Sequence, residues 1–430
     1  MNSSPNQPGA LQPLTALDAL RVCQVIDSLN ENTGGPVPAV VNLTEGLVQD
    51  GVQSYVVTQD YPNWGTQVQP QGAQCYSYPG NSVMKYMGTP NAKFYKTLRY
   101  LAESEINLIH NHGIWLFINR CARYVATANQ LPLVISPRGT LEPWVFERNF
   151  YKKWLTWHLF EQQNLRHAAL FHATSALELN AIRRLGFTQP IALIPDGVNL
   201  PDLATVPGRD ILIQAFPELA NKRWLLFMSR LHPKKGIDTL LIAWQRLATE
   251  FVDWHLIIAG PDENTYKTQL VKLVNECGLE QRVTFTGMLK GDRKAAALGN
   301  ADLFVLPTHS ENFGIVIAES LAYEVPVVTT QEAPWSELNT HNCGWWVKDA
   351  LDTLIDALTE GLRLSESQRQ TMGSRGRQLI ADKYTWQAVV HQMVAAYEWA
   401  TRGGNPPNCI IFEKGKGCNL PQALLEADNA

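Results

Sequence analysis

Hydrophobic positions recur along the chain in two alternating patterns. Short runs rich in Val, Ile and Leu are separated by longer segments, such as 238–251, whose apolar residues keep helical spacing. This alternation is typical of βαβ units and predicts an α/β fold with mainly parallel sheets. The predicted strands are 22–26, 54–58, 107–110, 132–136, 170–174 and 192–195 in the first half, and 224–228, 255–259, 283–286, 303–306 and 326–329 in the second.

A segment rich in proline separates the two series of strands. Pro201, Pro207 and Pro217 lie in it, together with Gly208, a composition suited to a linker. The helical pattern that begins at Trp386 is followed by glycines and prolines, which end helices. We therefore predict a first domain over residues 1–200, a linker over 201–217, a second domain over 218–400 and a poorly ordered tail over 401–430.

Composition and charge restrict the class of protein. The 430 residues are 45% hydrophobic and 18% charged, which is typical of a globular chain, and the net charge of -4 argues against non-specific nucleic-acid binding. The seven cysteines form no Cys-x-x-Cys pair, so a disulfide or zinc framework is not expected. No secretory signal is readable in the first 19 residues and no apolar run is long enough to span a bilayer, so we predict a cytoplasmic protein.

Two loops that follow predicted strands are candidates for binding phosphate, because ligands of open α/β sheets bind beyond the carboxyl ends of strands. Gly34 and Gly35 follow the first strand, where paired glycines allow a ligand to approach the backbone; an ordinary tight turn is the alternative. Arg230 and Lys235 follow the first strand of the second series and offer a guanidinium fork and a point charge to a diphosphate. A solvated basic loop is the alternative here.

The sequence Glu-Asn-Phe-Gly at 311–314 is the sharpest candidate. Gly314 is predicted to open a helix whose free N–H groups can hold a phosphate, with Glu311 on the preceding loop and Glu319 on the helix. The two carboxylates can accept hydrogen bonds from the hydroxyls of a sugar and a ribose. The alternative is placement of glutamate for the helix dipole, but Glu319 lies in an apolar run, where an unpaired carboxylate is costly, so we expect it to be hydrogen-bonded.

Polar residues also follow two strands of the first series. His110 and His112 lie on one face of a strand, Trp115 comes shortly after them, and Arg138 follows the next strand. The histidines can be interpreted as metal ligands, but no carboxylate ligand accompanies them. A hydrogen bond to a ligand, or a position capping the core, is favoured, and no metal site is predicted.

Taken together, these residues resemble the retaining family 4 glycosyltransferases of the GT-B fold, over about residues 20–400. The most specific element is the Glu311 and Glu319 pair with seven residues between, supported by Ser-Arg-Leu-His-Pro-Lys-Lys-Gly at 229–236. The resemblance implies two Rossmann-like domains that face each other across a cleft, the first for the acceptor and the second for a nucleotide-sugar donor, without a metal or other cofactor. Further matches are Ala173-Thr174-Ser175 with Glu178, Pro195-Asp196-Gly197-Val198, Gly260-Pro261, Phe285-Thr286-Gly287 and Ala301-Asp302.

The resemblance also implies functions for single residues on the donor side. Arg230 and Lys235 would bind the donor diphosphate, and Glu319 the ribose hydroxyls. Glu311 would hold the transferred sugar with the backbone of the loop that follows it. The loop residues are Asn312, Phe313, Gly314 and Ile315.

In the first domain, Gly34 and Gly35 match the glycine loop that approaches the diphosphate, and His112 matches a histidine near the sugar's primary hydroxyl, with His110 as a rival. Catalytic functions would fall to Glu311, His112, Arg230 and Lys235, whereas His110, Trp115 and Arg138 are candidates on the acceptor side. Two departures leave functions open: Arg138 stands where many relatives have histidine before glycine, and Asp196 stands where they have asparagine.

The implied reaction is transfer of a hexose to a lipid-linked or oligosaccharide acceptor in envelope or exopolysaccharide synthesis. UDP-glucose or a related UDP-hexose is the first choice of donor. The alternatives are a GDP-mannose-dependent mannosyltransferase, a sugar-nucleotide epimerase of the same fold and a non-catalytic scaffold that binds nucleotide sugars. No covalent nucleophile is evident, so retention implies attack on the same face of the sugar, with a donor phosphate oxygen helping to deprotonate the acceptor.

A local basic region bears on the acceptor. Residues 85–184 contain 13 Lys and Arg against 6 Asp and Glu, and 146–160 mixes lysines with aromatic residues as an interfacial helix does. These features indicate peripheral contact at the inner face of the cytoplasmic membrane. Aromatic residues packed on the sheet, with solvated lysines, are the alternative.

Overall fold

Two sheets organise the protein. The computed structural model describes residues 19–33, 35–80, 91–142, 150–262 and 265–412. The first sheet has eight strands in the order β14-β7-β6-β5-β4-β1-β2-β3. Neighbouring strands from β3 to β6 pair in parallel, with Val22 of β1 opposite Ser54 of β2 and Leu108 of β4. Its strands are β1 (Arg21–Ser28), β2 (Gln53–Asp60), β3 (Gln74–Pro79), β4 (Leu108–His112), β5 (Leu133–Ser136), β6 (Leu170–Ala173), β7 (Ile191–Leu193) and β14 (Ile410–Ile411).

The second sheet has six parallel strands in the order β10-β9-β8-β11-β12-β13. Its central strand β8 is buried from Trp224 to Met228, because helices cover both faces of a parallel sheet and leave no polar side to the strand. The strands are β8 (Arg223–Met228), β9 (Trp254–Ala259), β10 (Val283–Gly287), β11 (Leu303–Leu306), β12 (Val327–Thr330) and β13 (Gly344–Val347).

Helices connect the strands. Helix Ile237–Leu247 is amphipathic and packs its apolar face on the core. The buried residues of this face are Ile237, Leu240, Leu241, Trp244 and Leu247. The α-helices are Pro36–Gln49, Ala92–Ser104, Phe117–Ala128, Phe150–Thr156, Gln162–Arg166, Ala176–Arg184, Asp210–Ile213, Ile237–Leu247, Tyr266–Glu276, Gly291–Gly299, Ile315–Ala322, Glu337–Thr340, Leu351–Arg363, Glu366–Lys383 and Trp386–Arg402. A π-helical turn, Trp157–Glu161, joins Phe150–Thr156 to Gln162–Arg166. Within the described ranges, no helix has the length and apolarity needed to cross a bilayer.

The structure confirms the α/β class and every strand predicted from the pattern, with ends shifted by one or two residues. The helix predicted over 238–251 ends earlier, at Leu247. Three strands were not predicted. β3 and β13 are only half buried and β14 has two residues, so none carries the apolar run that identifies a buried strand.

Contacts within the chain group the described residues into two units. One comprises those of Met1–Pro137, Asn149–Phe171 and Val394–Ile410, and the other those of Arg138–Arg148, His172–Met393 and Ile411–Ala430. We call them unit 1 and unit 2. The domain limits at 201–217 and 400 remain predictions. Unit 2 has a large apolar core around β8, in which Trp224, Trp244 and Trp254 are fully buried.

Candidate functional site

In unit 2, the loop that carries Lys235 is fixed by a glycine. A short 3-10 helix, Pro233–Lys235, is followed by Gly236 in the left-handed region with φ +64°. A Cβ at Gly236 would lie 2.0 Å from the carbonyl oxygen of Pro307, so no other residue fits without a shift of the backbone. This close approach holds buried Lys235 against the loop after β11. Arg230 lies exposed at the start of the same loop.

The loop after β11 carries the Glu-Asn-Phe-Gly sequence. Gly314 has φ +78° and precedes helix Ile315–Ala322, which confirms the predicted helix start. Phe313 is buried against Trp335, whose Nε1 donates to the Phe313 carbonyl at 2.6 Å. The first N–H groups of the helix have no partner within it, so they are the donors available to an anion.

Lys235 and Glu311 form an ion pair: the Lys235 ammonium donates to Glu311 Oε2. Both side chains are largely buried, and the other Glu311 oxygen accepts from the backbone N–H of Asn312 at 3.2 Å. The structure thus brings together Lys235, which the resemblance assigns to the donor diphosphate, and Glu311, which it assigns to the transferred sugar. A charge-assisted bond of this kind fixes the orientation of both side chains.

A second ion pair joins the same two loops to Glu142, which sequence reasoning missed. Lys234 Nζ lies 3.5 Å from Glu142 Oε2, and Ser310 Oγ donates to that oxygen at 2.9 Å. Burial lowers the pKa of Lys234, although the Glu142 carboxylate opposes this. The backbone carbonyl of Lys234 also accepts from the N–H of His309 at 2.8 Å.

Glu319 is hydrogen-bonded, as expected, but to a protein cation. Lys294 Nζ lies 2.6 Å from Glu319 Oε1, and both side chains are partly exposed. Lys294 belongs to helix Gly291–Gly299, and the sequence did not single it out. A ribose that binds Glu319 therefore competes with Lys294 or shares the carboxylate with it.

Glu178 is linked to the 311–314 loop through Thr174. Its fully buried carboxylate accepts from the backbone N–H groups of Gly139 at 2.7 Å and Thr174 at 2.8 Å. The Thr174 hydroxyl, which donates to Glu178, accepts from Asn312 Nδ2 at 2.8 Å. Burial raises the pKa of Glu178, and these donors oppose the rise. The sequence marked Glu178 only as a match to the family.

Arg138 and Asp196, the two departures from the family pattern, are ion-paired in unit 2. Arg138 Nη1 lies 2.6 Å from Asp196 Oδ1, and the side chains are 6% and 16% exposed. Arg138 has φ +58° and the next residue, Gly139, has φ +72°. One end of the guanidinium is turned toward Asp196, and Arg138 as an acceptor contact remains a prediction.

In unit 1, the two candidate histidines are buried at the carboxyl end of β4, with ring centroids 4.0 Å apart. The ring nitrogens of His110 lie 2.5 Å from the Tyr397 hydroxyl and 2.7 Å from Ser136 Oγ. His112 Nε2 lies 2.7 Å from Gln24 Oε1. Within the described ranges, no group of three His, Cys, Asp or Glu side chains is arranged to hold a metal.

The remaining candidates lie in unit 1 as well. Gly35 precedes helix Pro36–Gln49 with φ -54°, and a Cβ there would meet no described atom within 4 Å, whereas Gly34 lies outside the described residues. Trp115 has φ +77° and lies 6.0 Å from Trp157 between ring centroids. Its backbone is hydrogen-bonded to Glu161, a buried carboxyl whose pKa desolvation raises to about 7.

Comparison with known proteins identifies the class. The family model described as "Glycosyltransferase Family 4" matches residues 33–201, and the model "Glycosyl transferases group 1" matches 208–379. Sucrose-phosphate synthase from Thermosynechococcus elongatus has a similar structure, with a TM-score of 0.67 and 21% identity over 88% of this chain and 98% of the other. The protein is a glycosyltransferase with an α/β fold. It belongs to the family 4 glycosyltransferases of the GT-B fold.

Two mycobacterial relatives match about half of the chain. The GDP-mannose-dependent alpha-(1-6)-phosphatidylinositol monomannoside mannosyltransferase of Mycobacterium tuberculosis is 28% identical over 209 residues, which are 46% of this chain and 54% of that protein. The phosphatidyl-myo-inositol mannosyltransferase of Mycobacterium leprae is 30% identical over 217 residues, 49% of this chain and 54% of that protein. The chain thus spans about half the length of the curated relatives it matches.

Proposed function

We propose that the protein is a retaining mannosyltransferase that uses GDP-mannose and a lipid-linked or oligosaccharide acceptor. The observation that supports transfer is the Lys235–Glu311 pair beside the helix N-terminus at Gly314. The relatives support the choice of donor, because both are mannosyltransferases and one is GDP-mannose-dependent by name. UDP-glucose, the first choice from the sequence, is therefore the second candidate.

The proposed diphosphate site combines side-chain cations with a helix end. Lys235 is buried and held in place, Arg230 is exposed in the same loop, and the N–H groups after Gly314 point out of the helix. These groups are fixed before the sugar–phosphate bond breaks, so they stabilise the departing diphosphate without reorganisation. In this proposal the diphosphate leaves without help from a metal ion.

Glu311 is proposed to bind the transferred sugar, and Glu319 the ribose. Hydrogen bonds from sugar hydroxyls to a carboxylate are charge-assisted, and Glu311 offers two oxygens at the end of β11. The side-chain oxygen Oδ1 of Asn312 is buried without a hydrogen-bond partner among the described residues, so it is an acceptor that a sugar hydroxyl can satisfy. The functions expected for His112 and Gly35, which belong to unit 1, remain predictions.

For catalysis, we propose that the acceptor hydroxyl attacks the anomeric carbon from the face that the diphosphate leaves. A donor phosphate oxygen takes the hydroxyl proton, the new glycosidic bond forms, and the nucleoside diphosphate departs. Retention of the anomeric configuration is expected in the product. An inverted product contradicts this mechanism.

Thermal shift and transfer assays test the proposal. GDP is expected to raise the melting temperature more than UDP or ADP, because a ligand that binds only the folded state stabilises it. Incubation with GDP-mannose and a lipid-linked acceptor is expected to release GDP and form product. Glu311→Gln should lower kcat by about 100-fold or more, whereas Glu276→Gln, on the exposed face of helix Tyr266–Glu276, serves as the matched control. A larger shift with UDP, together with transfer from UDP-glucose, overturns the choice of donor.

We also propose that unit 1 contacts an anionic membrane surface. Trp154, Leu155 and Leu159 are 41%, 52% and 66% exposed and recur at helical spacing on the solvent side of segment 150–166, whereas Trp157 and Glu161 are buried on its other side. Exposed apolar side chains in a basic region fit the interface of anionic lipids. Trp157 of this segment is buried against Trp115, whereas Trp154 is exposed.

Sedimentation with vesicles tests this contact. Leu155→Ser combined with Leu159→Ser is expected to reduce binding to vesicles that contain anionic phosphatidylglycerol, because both side chains are exposed. Val252→Ser in unit 2 is the matched control, since Val252 is equally exposed. Equal binding of the double variant and the wild type contradicts the proposal.

A further inference from the structure

The ion pair between Arg138 and Asp196 has no function in the proposed chemistry. It is nearly buried, and taking two charges out of water is costly unless their geometry serves a purpose. Arg138 also adopts a left-handed backbone conformation, which is uncommon for a residue other than glycine and persists only where surrounding contacts hold it. Both facts indicate that this pair holds the neighbouring backbone in place.

A continuous set of contacts leads from this pair to the loop of Glu311. Gly139, the residue after Arg138, donates its N–H to Glu178 at 2.7 Å. A Cβ at Gly139 would lie 3.2 Å from Asn312 Cβ, so the Gly139 backbone packs closely against the Asn312 side chain. Glu178 also binds Thr174, whose hydroxyl accepts from Asn312. All these residues belong to unit 2.

Two carboxylates experience the charge of the Arg138 guanidinium. Asp196 binds it directly, and the Arg138 charge also acts on Glu178. The nearby His172 is neutral, because burial, followed by the Arg138 charge, lowers its pKa to about 4. Asp196 therefore supplies a counter-charge to the guanidinium in this buried region.

We infer that the Arg138–Asp196 ion pair is a positioning element for the loop that carries Glu311. With Asp196 present, both Glu178 oxygens remain bound to Gly139 and Thr174. Removing either partner leaves the other, largely buried charge without its counter-ion, so the segment around Arg138 and Gly139 rearranges and the Asn312 anchor loosens. The inference rests on the proposed function for its effect on turnover, but its effect on the loop is independent of that function.

The test uses Asp196→Asn, Arg138→His and the double variant, in which a histidine and an asparagine replace the two charged side chains. Hydrogen–deuterium exchange over 308–316 is expected to be about 10-fold faster in Asp196→Asn than in the wild type, with helix Tyr266–Glu276 unchanged. Arg138→His should show the same change, because it leaves Asp196 without its cation. The double variant is expected to return to the wild-type rate.

Kinetics separate positioning from a general loss of structure. In each single variant kcat should fall about 10- to 100-fold, since small displacements of a reacting group are costly. GDP affinity should fall much less, by about 3-fold, because Arg230, Lys235 and Glu319 lie outside the segment that loosens. The double variant should recover most of kcat. Arg363→His with Glu250→Asn, made singly and together at an exposed ion pair, is the matched control and should change neither readout.

Three results would contradict the inference or the proposed function. Unchanged exchange at 308–316 in the single variants, or no recovery in the double variant, overturns the inference. Faster exchange everywhere, with weaker GDP binding, also overturns it by showing a general structural role. If the wild type transfers no sugar, the proposed function fails, and exchange alone still tests the positioning.

Discussion

Replacing Glu161 with glutamine removes a buried ionisable group next to a candidate acceptor residue. Glu161 is fully buried in unit 1, and its carboxyl accepts from the backbone of Trp115 and, at 3.5 Å, from Asn164 Nδ2. One of its oxygens, Oε1, has no hydrogen-bond partner among the described residues. Glutamine has the same shape but keeps no charge, so the substitution isolates the cost of ionisation.

The magnitude follows from the pKa. Desolvation raises the pKa of Glu161 from 4.5 to about 7, although hydrogen bonds to Trp115 and Asn164 and the charge of Arg123 oppose the rise. The folded state therefore binds more protons than the unfolded state between these values. The stabilisation from Glu161 is complete below about pH 4.5 and is lost as the pH rises through about 7, by about 3 kcal/mol in all.

Chemical denaturation of the wild type and of Glu161→Gln at about pH 5 and about pH 8 measures this difference. The free energy of unfolding of the variant minus that of the wild type should be about 2.5 kcal/mol larger at about pH 8 than at about pH 5, because a small part of the stabilisation is already lost at pH 5. Glu103→Gln, at an exposed carboxylate on helix Ala92–Ser104, controls for the loss of a charge that remains in water. A difference between Glu161→Gln and wild type that stays constant with pH refutes the reasoning.

Three further outcomes are expected. Gly236→Ala should destabilise the protein by about 2 kcal/mol or more, measured by denaturation, and abolish the nucleotide-induced thermal shift, because its Cβ collides with the Pro307 carbonyl and its φ is +64°. Glu319→Gln should weaken GDP binding about 10-fold in calorimetry if the carboxylate binds the ribose, since a hydrogen bond to a charged group is lost. Removal of divalent metals with EDTA should leave both GDP binding and transfer unchanged.

Controls make these outcomes decisive. Gly278→Ala tests a left-handed glycine without a close contact, since φ is +66° but a Cβ would meet nothing within 4 Å; equal loss in both glycine variants contradicts the steric argument at Gly236. Lys294→Met removes the protein partner of Glu319 and should preserve or strengthen GDP binding. Loss of transfer in EDTA that magnesium restores contradicts the metal-free mechanism.

Local sequence signals predicted much of the fold and the start of the site. β9, β11 and β12 of the second sheet are buried along their whole length, so each appears as an apolar run. Gly314 marks a helix start because the backbone there is left-handed. The hydrogen bond of Glu319 was expected from its apolar surroundings. These inferences depend on neighbours in sequence, which a pattern can show.

Pairings between distant residues could not be predicted. Glu142 and Ser310 are 168 positions apart, and Lys235 and Glu311 are 76 apart. The sequence identified Glu178 only as a match to the family pattern. It gave no function for this residue, because the contact of Glu178 with Gly139 spans 39 positions. Charged residues on loops give no periodic signal, so the partner of each becomes known only when the fold brings the loops together.

Three lysines of the candidate donor region are each paired with a carboxylate. Lys235 contacts Glu311, Lys294 contacts Glu319, and Lys234 contacts Glu142. A diphosphate that enters brings negative charge, so we expect Lys235 to exchange a carboxylate for a phosphate oxygen. Glu311 then loses its cation and accepts hydrogen bonds from sugar hydroxyls instead. Such an exchange makes sugar binding depend on the diphosphate, so a free hexose should not bind where a nucleotide sugar does.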